Sequence, residues 1–341
     1  MRAPNLGARY KYLRRLGRGG AGEVFLARDT VHDRLVSFKR IDGLSFDAET
    51  LDQFRKEFRV LAAIEHPGIA RARDFGFVED RPYFTYDFVE GAPLGDRDGL
   101  LSPDTEALLD LLRELADALA FLHQGGLLHL DVKPGNIILR PGPEGQAVHA
   151  TPVLIDFGLF RRGLITASGP YFRGSLPYLA PEHFRGEPLG PWTDVYALGV
   201  TFYRYIAGEF PGPVPRWGRD GIVPPPFSPP RPLSCSSLEA GSEIEAILLK
   251  CLATDPEARY PSAVELRNHL CALRERSSNQ HSSSELVRCV PLVETFGRSQ
   301  ELEAAKELLD AAVSRRGGDF VLVVTGPRGA GQTHFLRELR S

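Results

Sequence analysis

The sequence predicts an α+β, bilobal architecture: a small β-rich lobe over residues 10–90 and a larger helical lobe over 91–275. A Ser-rich linker over 276–292 and an α/β fragment over 293–341 are expected to follow. Three observations carry this reading. Short β-branched and aromatic runs, broken by Gly or Asp, fill the first ninety residues. Apolar stripes at helical spacing take over after Gly91. Near the C-terminus, a hydrophobic strand runs directly into a glycine-rich loop.

Strands are expected at residues 10–16, 24–27, 35–40, 72–77 and 83–89. Between the third and fourth, Leu51, Phe54, Phe58, Leu61 and Ala62 recur at helical spacing, and His66-Pro67 stops the run. In the larger lobe, Ser102 is a plausible N-cap with Pro103 at the first helical position. Leu108, Leu112, Leu115, Leu119 and Leu122 then form a core stripe that ends at Gly125-Gly126. Further helices are expected at 193–207, 242–252 and 262–274. Residues Pro211 to Pro232 hold nine prolines. They suit a polyproline ligand or a rigid surface connection, and the connection is the commoner case. The polar run at 277–284 marks a flexible linker.

Composition bounds the function. With 43% hydrophobic and 25% charged residues, the 341-residue chain has ordinary globular proportions. A formal charge of −3 gives no general attraction to nucleic acid or to an anionic membrane, and neither partner is expected. The first ten residues lack an apolar h-region, and no run approaches about 18 apolar residues, so a cytoplasmic location is expected. Cys235, Cys251, Cys271 and Cys289 form no C-x-x-C pair and read as reduced structural thiols. Only six of the 41 basic residues are lysine, which draws attention to where lysine is kept.

Several motifs carry chemistry. Gly17-Arg18-Gly19-Gly20-Ala21-Gly22-Glu23-Val24 fits G-x-G-x-x-G-x-V between two strands. Glycines there let main-chain N–H groups approach phosphate oxygens without a Cβ in the way. Lys39 ends the strand Val36-Ser37-Phe38-Lys39, where an ammonium can reach phosphates, and Glu57 on the next helix can hold it outstretched. His129-Leu130-Asp131-Val132-Lys133-Pro134-Gly135-Asn136 supplies a carboxylate, a cation and an amide. Asp156-Phe157-Gly158 adds a second carboxylate after a hydrophobic strand, and Ala180-Pro181-Glu182 follows.

In this order the motifs resemble the eukaryotic-type protein kinases over about residues 10–275. Asp194 and Arg259 stand where that family has a conserved helix aspartate and the arginine that pairs with the A-P-E glutamate, here Glu182. The resemblance implies that ATP and Mg²⁺ are cofactors. Residues Gly17 to Gly22, Val24, Ser37 and Lys39 would line the nucleotide, with Lys39 paired to Glu57. Asp131 would be the catalytic base, and Asn136 and Asp156 would hold Mg²⁺. Lys133, near the γ-phosphate and Ser175, marks a Ser/Thr enzyme acting on protein substrates. Tyr86 would guard the adenine pocket, with the Asp87 carbonyl and the Val89 N–H facing the adenine edge. The sequence departs from the family at Leu130, where an arginine usually binds an activation-loop phosphate. Thr166, Ser168 and Tyr171 remain modifiable, and the Gly-, Arg- and aromatic-rich loop around them reads equally as a substrate selector or as plain surface.

In the C-terminal fragment, the strand at 320–325 leads into Gly326-Pro327-Arg328-Gly329-Ala330-Gly331-Gln332-Thr333. This resembles the start of the P-loop NTPase modules that follow some bacterial kinase domains, with Gln332 in place of the phosphate-binding lysine. Eight residues remain after Thr333, too few for a second carboxylate motif, so sensor or NTPase domains beyond residue 341 are expected partners. The expected activity is transfer of the γ-phosphoryl of MgATP to protein Ser/Thr hydroxyls, its own included. The competing readings are a catalytically weak kinase-fold scaffold that senses nucleotide and a P-loop ATPase with an accessory kinase.

Overall fold

A computed structural model of the protein describes residues 4–19, 22–41, 55, 58–95, 105–142, 150–156, 161–162, 165–166, 175–218, 221–233 and 241–281. Alternation of side chains across a pleated surface builds the small lobe. Strands β1 (Tyr10–Gly19), β2 (Gly22–Asp29), β3 (Arg34–Ile41), β4 (Ala72–Val78) and β5 (Arg81–Asp87) form one antiparallel sheet in the order β1-β2-β3-β5-β4. One face buries Tyr10, Phe25, Val36 and Phe38, with the Phe38 ring stacked 4.4 Å from Tyr83. The other face turns Phe84 and Tyr86 toward the helical residues 58–62, where Phe58 lies 5.7 Å from Phe84. Glu79 and Asp80, at φ 51° and 59°, join β4 to β5 in the left-handed conformations that a tight hairpin demands.

All five expected strands form, with shifted ends. The glycine motif is a hairpin, since β1 continues to Gly19 and β2 begins at Gly22. Six of its eight residues therefore sit inside strands, and Gly20 and Ala21 lie outside the described residues. β5 stops at Asp87 rather than 89, and beyond it the Phe88 N–H makes only a stretched last rung to the Leu35 carbonyl of β3, at 3.4 Å.

The larger lobe is organised around α1 (Thr105–Gln124), whose Leu115, Leu119 and Leu122 are fully buried at helical spacing. Burying each such leucine stabilises by about 1.5–3 kcal/mol. A three-stranded sheet of β6 (Ala92–Pro93), β8 (Ile137–Arg140) and β9 (Thr151–Leu154) packs beside it, and β7 (Leu127–Leu128) pairs with β10 (Arg161–Arg162). β11 (Ile165–Thr166) pairs with β12 (Pro188–Leu189), which follows the short α2 (Pro181–Arg185). Then come α3 (Pro191–Ala207), the hairpin β13 (Arg216–Gly218) and β14 (Gly221–Val223), α4 (Gly241–Cys251) and α5 (Ala263–His281). The proline-rich connection thus contains a hairpin. Among the described residues no helix is long and apolar enough to cross a membrane. Cys251 is buried with its thiol pushed up to about 12 by desolvation, an inert core group, while Cys271 is half-buried and in no disulfide.

The chain divides into two compact units, Met1–Glu275 and Arg276–Ser341. α5 runs to His281, so the start of the expected linker is helical. Extending a formed helix costs little per residue even for polar side chains. The remaining linker and the α/β fragment, with its strand, glycine loop and Gln332, lie outside the described residues.

Two buried carboxylates tie the larger lobe together. Glu182, on α2, receives Arg259 Nη1 at 2.8 Å and Nη2 at 2.9 Å, and neither side chain is exposed. Thr193 donates its hydroxyl to Glu182 at 2.8 Å and accepts the Gly190 N–H, which caps α3 at the same point. Asp194, in the first turn of α3, is also fully buried. Its Oδ2 accepts the His129 N–H at 2.8 Å and His123 Nε2 at 3.0 Å, and its Oδ1 accepts the Leu130 N–H at 2.7 Å. His123 Nδ1 accepts the Ala263 N–H at 3.1 Å, which sets the tautomer that donates from Nε2.

Burial opposes ionisation of Asp194, but the His123 hydrogen bond, the imidazoles and the His129 amide outweigh it and hold the carboxyl below its usual range. Glu182 is likewise lowered: its desolvation is offset by Arg259. Burial also pushes the His129 and His183 imidazoles below their ordinary value.

Two outcomes are expected. Arg259→Ala leaves Glu182 charged and unpaired in the core and should cost about 3–5 kcal/mol in urea unfolding, whereas breaking the solvent-exposed Arg28–Asp33 pair should leave the unfolding midpoint nearly unchanged. All four buried groups have folded-state values below their unfolded ones, so the unfolded chain takes up protons first as pH falls. Thermal midpoints should therefore drop as pH goes below about 6.5 through the histidines, and drop further below about 4 through Asp194 and Glu182.

Candidate active site

The catalytic-loop segment begins where Asp194 holds it. With the His129 and Leu130 amides fixed on one carboxylate, Leu130 adopts φ 59° and the chain turns sharply. A bulky residue in that region is strained and persists only where its surroundings impose it. The turn presents Asp131 to a cluster of donors. Its Oδ2 accepts Lys133 Nζ at 2.7 Å and Asn136 Nδ2 at 2.8 Å, and its Oδ1 accepts the Ser175 N–H at 3.0 Å and hydroxyl at 3.1 Å. Lys133 Nζ also donates to Ser175 Oγ at 2.7 Å. Asp131, Lys133, Asn136 and Ser175 therefore form one network.

Asn136 sits in a 3-10 turn, Pro134–Asn136, and donates its amide to both the Asp131 backbone carbonyl at 2.9 Å and the carboxylate. With Nδ2 so engaged, Oδ1 is the atom left to act as a ligand. Asp156 follows β9, which is bound to residues 68–70 through Ala70 N–H to Leu154 O at 2.8 Å and Leu154 N–H to Gly68 O at 2.9 Å. It too has positive φ, 54°, and its carboxylate meets the Lys39 ammonium. Lys39 faces inward from β3, 12% exposed, opposite Val24 on β2 and Phe84 on β5. The chemistry of this set suits Mg²⁺, which takes one or two carboxylates and completes its shell with phosphate oxygens and water.

The expected site residues gather unevenly. Lys39 pairs with Asp156, while Glu57, its expected partner, lies outside the described residues. Gly22 owes its glycine to sheet packing, since at φ 135° a Cβ would stand 1.9 Å from the Arg40 carbonyl oxygen. Gly17 pairs with Val24 and Arg18 with Glu23, so these hairpin residues share one ribbon. Ser37 lies opposite Tyr86 in the β3–β5 ladder, and Tyr86 is buried so deeply that its phenol stays protonated at any ordinary pH. Asp87 is held by Arg73 through hydrogen bonds of 2.6 and 2.5 Å, and Val89 is buried. His123 escaped the sequence reading. It ends an apolar helical stripe, and its partners Asp194 and Ala263 are 71 and 140 positions away, which leaves no local signal.

A family model for the protein kinase domain matches residues 10–271. Among curated proteins, the chain is 34% identical to the serine/threonine-protein kinase PknB of Mycobacterium leprae, over 78% of this chain and 43% of that protein. It is 32% identical to the serine/threonine-protein kinase pkn2 of Myxococcus xanthus, over 78% of this chain and 32% of that protein. The chain thus spans less than half the length of these relatives. The crystal structure of the Mycobacterium tuberculosis PknI kinase domain superposes with a TM-score of 0.58 at 26% identity, covering 81% of this chain and 99% of that one. With the family model covering most of its length, this chain belongs to the protein kinase domain family, on the bacterial branch of eukaryotic-type Ser/Thr kinases.

Proposed function

We propose that the chain is a Ser/Thr protein kinase that moves the γ-phosphoryl group of MgATP to Ser or Thr hydroxyls of proteins, its own among them. The arrangement around Asp131 carries this reading: a carboxylate held on one side by Lys133 and Asn136 and already accepting a serine hydroxyl on the other. An oxygen at the position of Ser175 Oγ is within reach for Asp131 to orient it and accept its proton. Lys133, 2.7 Å from that hydroxyl, places a positive charge where the transferred group gains negative charge. Lys39 would hold the α- and β-phosphates, and Asn136 Oδ1 with Asp156 would hold Mg²⁺. When bound, the metal neutralises phosphate charge during transfer. The glycine hairpin, Ser37, Tyr86, Asp87 and Val89 would enclose the nucleotide, and Glu57 would relieve Asp156 as the partner of Lys39.

The C-terminal segment is read as the opening of a P-loop NTPase module that couples to the kinase, in a cytoplasmic signalling protein. Its support is the strand–glycine loop order of residues 320–333, and Gln332 argues against hydrolysis by that loop. A scaffold without catalysis is the weaker reading, because Lys39, Asp131 and Asp156 are all present and in contact with charged partners.

Incubation with Mg²⁺ and γ-labelled ATP should place label on Ser or Thr of the protein or of a generic substrate. Asp131→Asn should lower the rate by about 10²–10⁴-fold with folding intact, since it removes the base and keeps the shape. Equal labelling by the variant would refute the assignment. Leu130 offers no cation to a loop phosphate, so phosphatase treatment should leave the rate within about threefold of the untreated enzyme. A loss of activity that ATP restores with a lag would show that loop phosphorylation is required.

A further inference from the structure

The proline-rich connection between α3 and α4 borders a shallow, open depression on the surface of the larger lobe. Eight of its eighteen lining residues are prolines. Proline has a fixed φ and no N–H, so the surface is stiff and poor in backbone donors, and it suits apolar contact at little entropic cost. Val214 and Phe227 line it while 40% and 39% exposed, and Trp217, on the adjoining hairpin, is 73% exposed. So many large apolar groups exposed within one short segment mark an interaction surface.

Charge narrows the occupant. Arg185 lies 4.8 Å over the Phe227 ring and Arg204 lies 4.4 Å over the Phe210 ring, and both rings line the depression. Arg185 meets Glu187 at 3.8 Å, whereas among the described residues no carboxylate pairs with Arg204, which donates to the Tyr178 hydroxyl at 3.1 Å. Position narrows it further. Leu179 lines this depression and also the small hollow bordered by Asp131 and Ser175. Leu179 stands four positions after Ser175, at most about 14 Å of extended chain. A peptide whose hydroxyl sits at Asp131 reaches the depression within a few residues.

We propose that this depression docks the segment of a protein substrate flanking its acceptor hydroxyl, taking an apolar side chain against Phe210 and Phe227 with a neighbouring carboxylate on Arg204. The inference rests on the kinase reading above, and its first test does not need catalysis. A fluorescein-labelled peptide carrying Phe flanked by glutamates, about four residues from a single Ser, is titrated into the full chain beside a twin with Ala for Phe. The Phe peptide should bind at least about tenfold more tightly, and Phe227→Ala and Arg204→Gln should each remove most of that difference. In phosphorylation assays the same variants should raise KM for the Phe peptide while kcat and KM for ATP hold. Equal binding of the twins, or unchanged binding by Phe227→Ala, would overturn the proposal. So would a wild-type dimer that Phe227→Ala dissociates, since a second copy would then own the surface. Phe-dependent binding without label on any peptide would count against the kinase reading and for the docking surface.

Discussion

The buried Asp194 carboxylate is the interaction on which the site depends. It collects the His123 imidazole from α1 and two consecutive amides, His129 and Leu130, while His123 reaches on to the first residue of α5. A charge taken out of water is costly unless its lone pairs are filled, and these donors fill them from two separate segments. The same satisfaction that makes the charge tolerable fixes where the chain turns into Asp131. Placement in the first turn of α3 adds the favourable end of the helix dipole.

Because that anchor is rigid, the residues it presents can be strained and partly wet. Leu130 and Asp156 both hold left-handed backbone, and in each case a neighbouring ladder or clamp imposes it: Asp194 for one, β9 bonded to residues 68–70 for the other. Asp131 and Asp156 remain 14% and 26% exposed, against none for Asp194 and Glu182. Four acidic residues thus divide into two that never leave their partners and two that can exchange them. The Lys39–Asp156 contact belongs to the second kind, since a nucleotide and metal would compete for both groups.

Much of this was legible from spacing. The strands at 35–40 and 72–77 and the leucine stripe on α1 follow from period-2 and period-3.6 burial, which are local properties. Motif order singled out Asp131, Lys133, Asn136, Asp156 and Ser175; the geometry joins Asp131, Lys133, Asn136 and Ser175 in one network and sets Asp156 against Lys39. What escaped depended on partners far away in sequence. Nothing near His123 announces a ligand for Asp194, and nothing in G-x-G-x-x-G separates Gly22, excluded from bearing a side chain by Arg40, from glycines that face open space such as Gly17. Strand ends were misjudged where the ladder fades, as at Phe88, whose rung to Leu35 is stretched to 3.4 Å.

Leu130 shows how two functions can share one position and still be separable. Its backbone N–H is bound by Asp194 whatever side chain it carries, so the turn into Asp131 survives the loss of an arginine. What the leucine lacks is a cation beside the Asp131 carboxylate. A phosphate added at Thr166 or Ser168 would then have to find its counter-charge elsewhere. The loop strand Ile165–Thr166 pairs instead with Pro188–Leu189, next to α2, whose Glu182 is locked to Arg259. Order in that segment is therefore coupled through backbone pairing to the most deeply buried ion pair of the lobe. The proline-walled depression borders the same elements, since Pro181 opens α2 and Tyr196 and Val200 lie on α3.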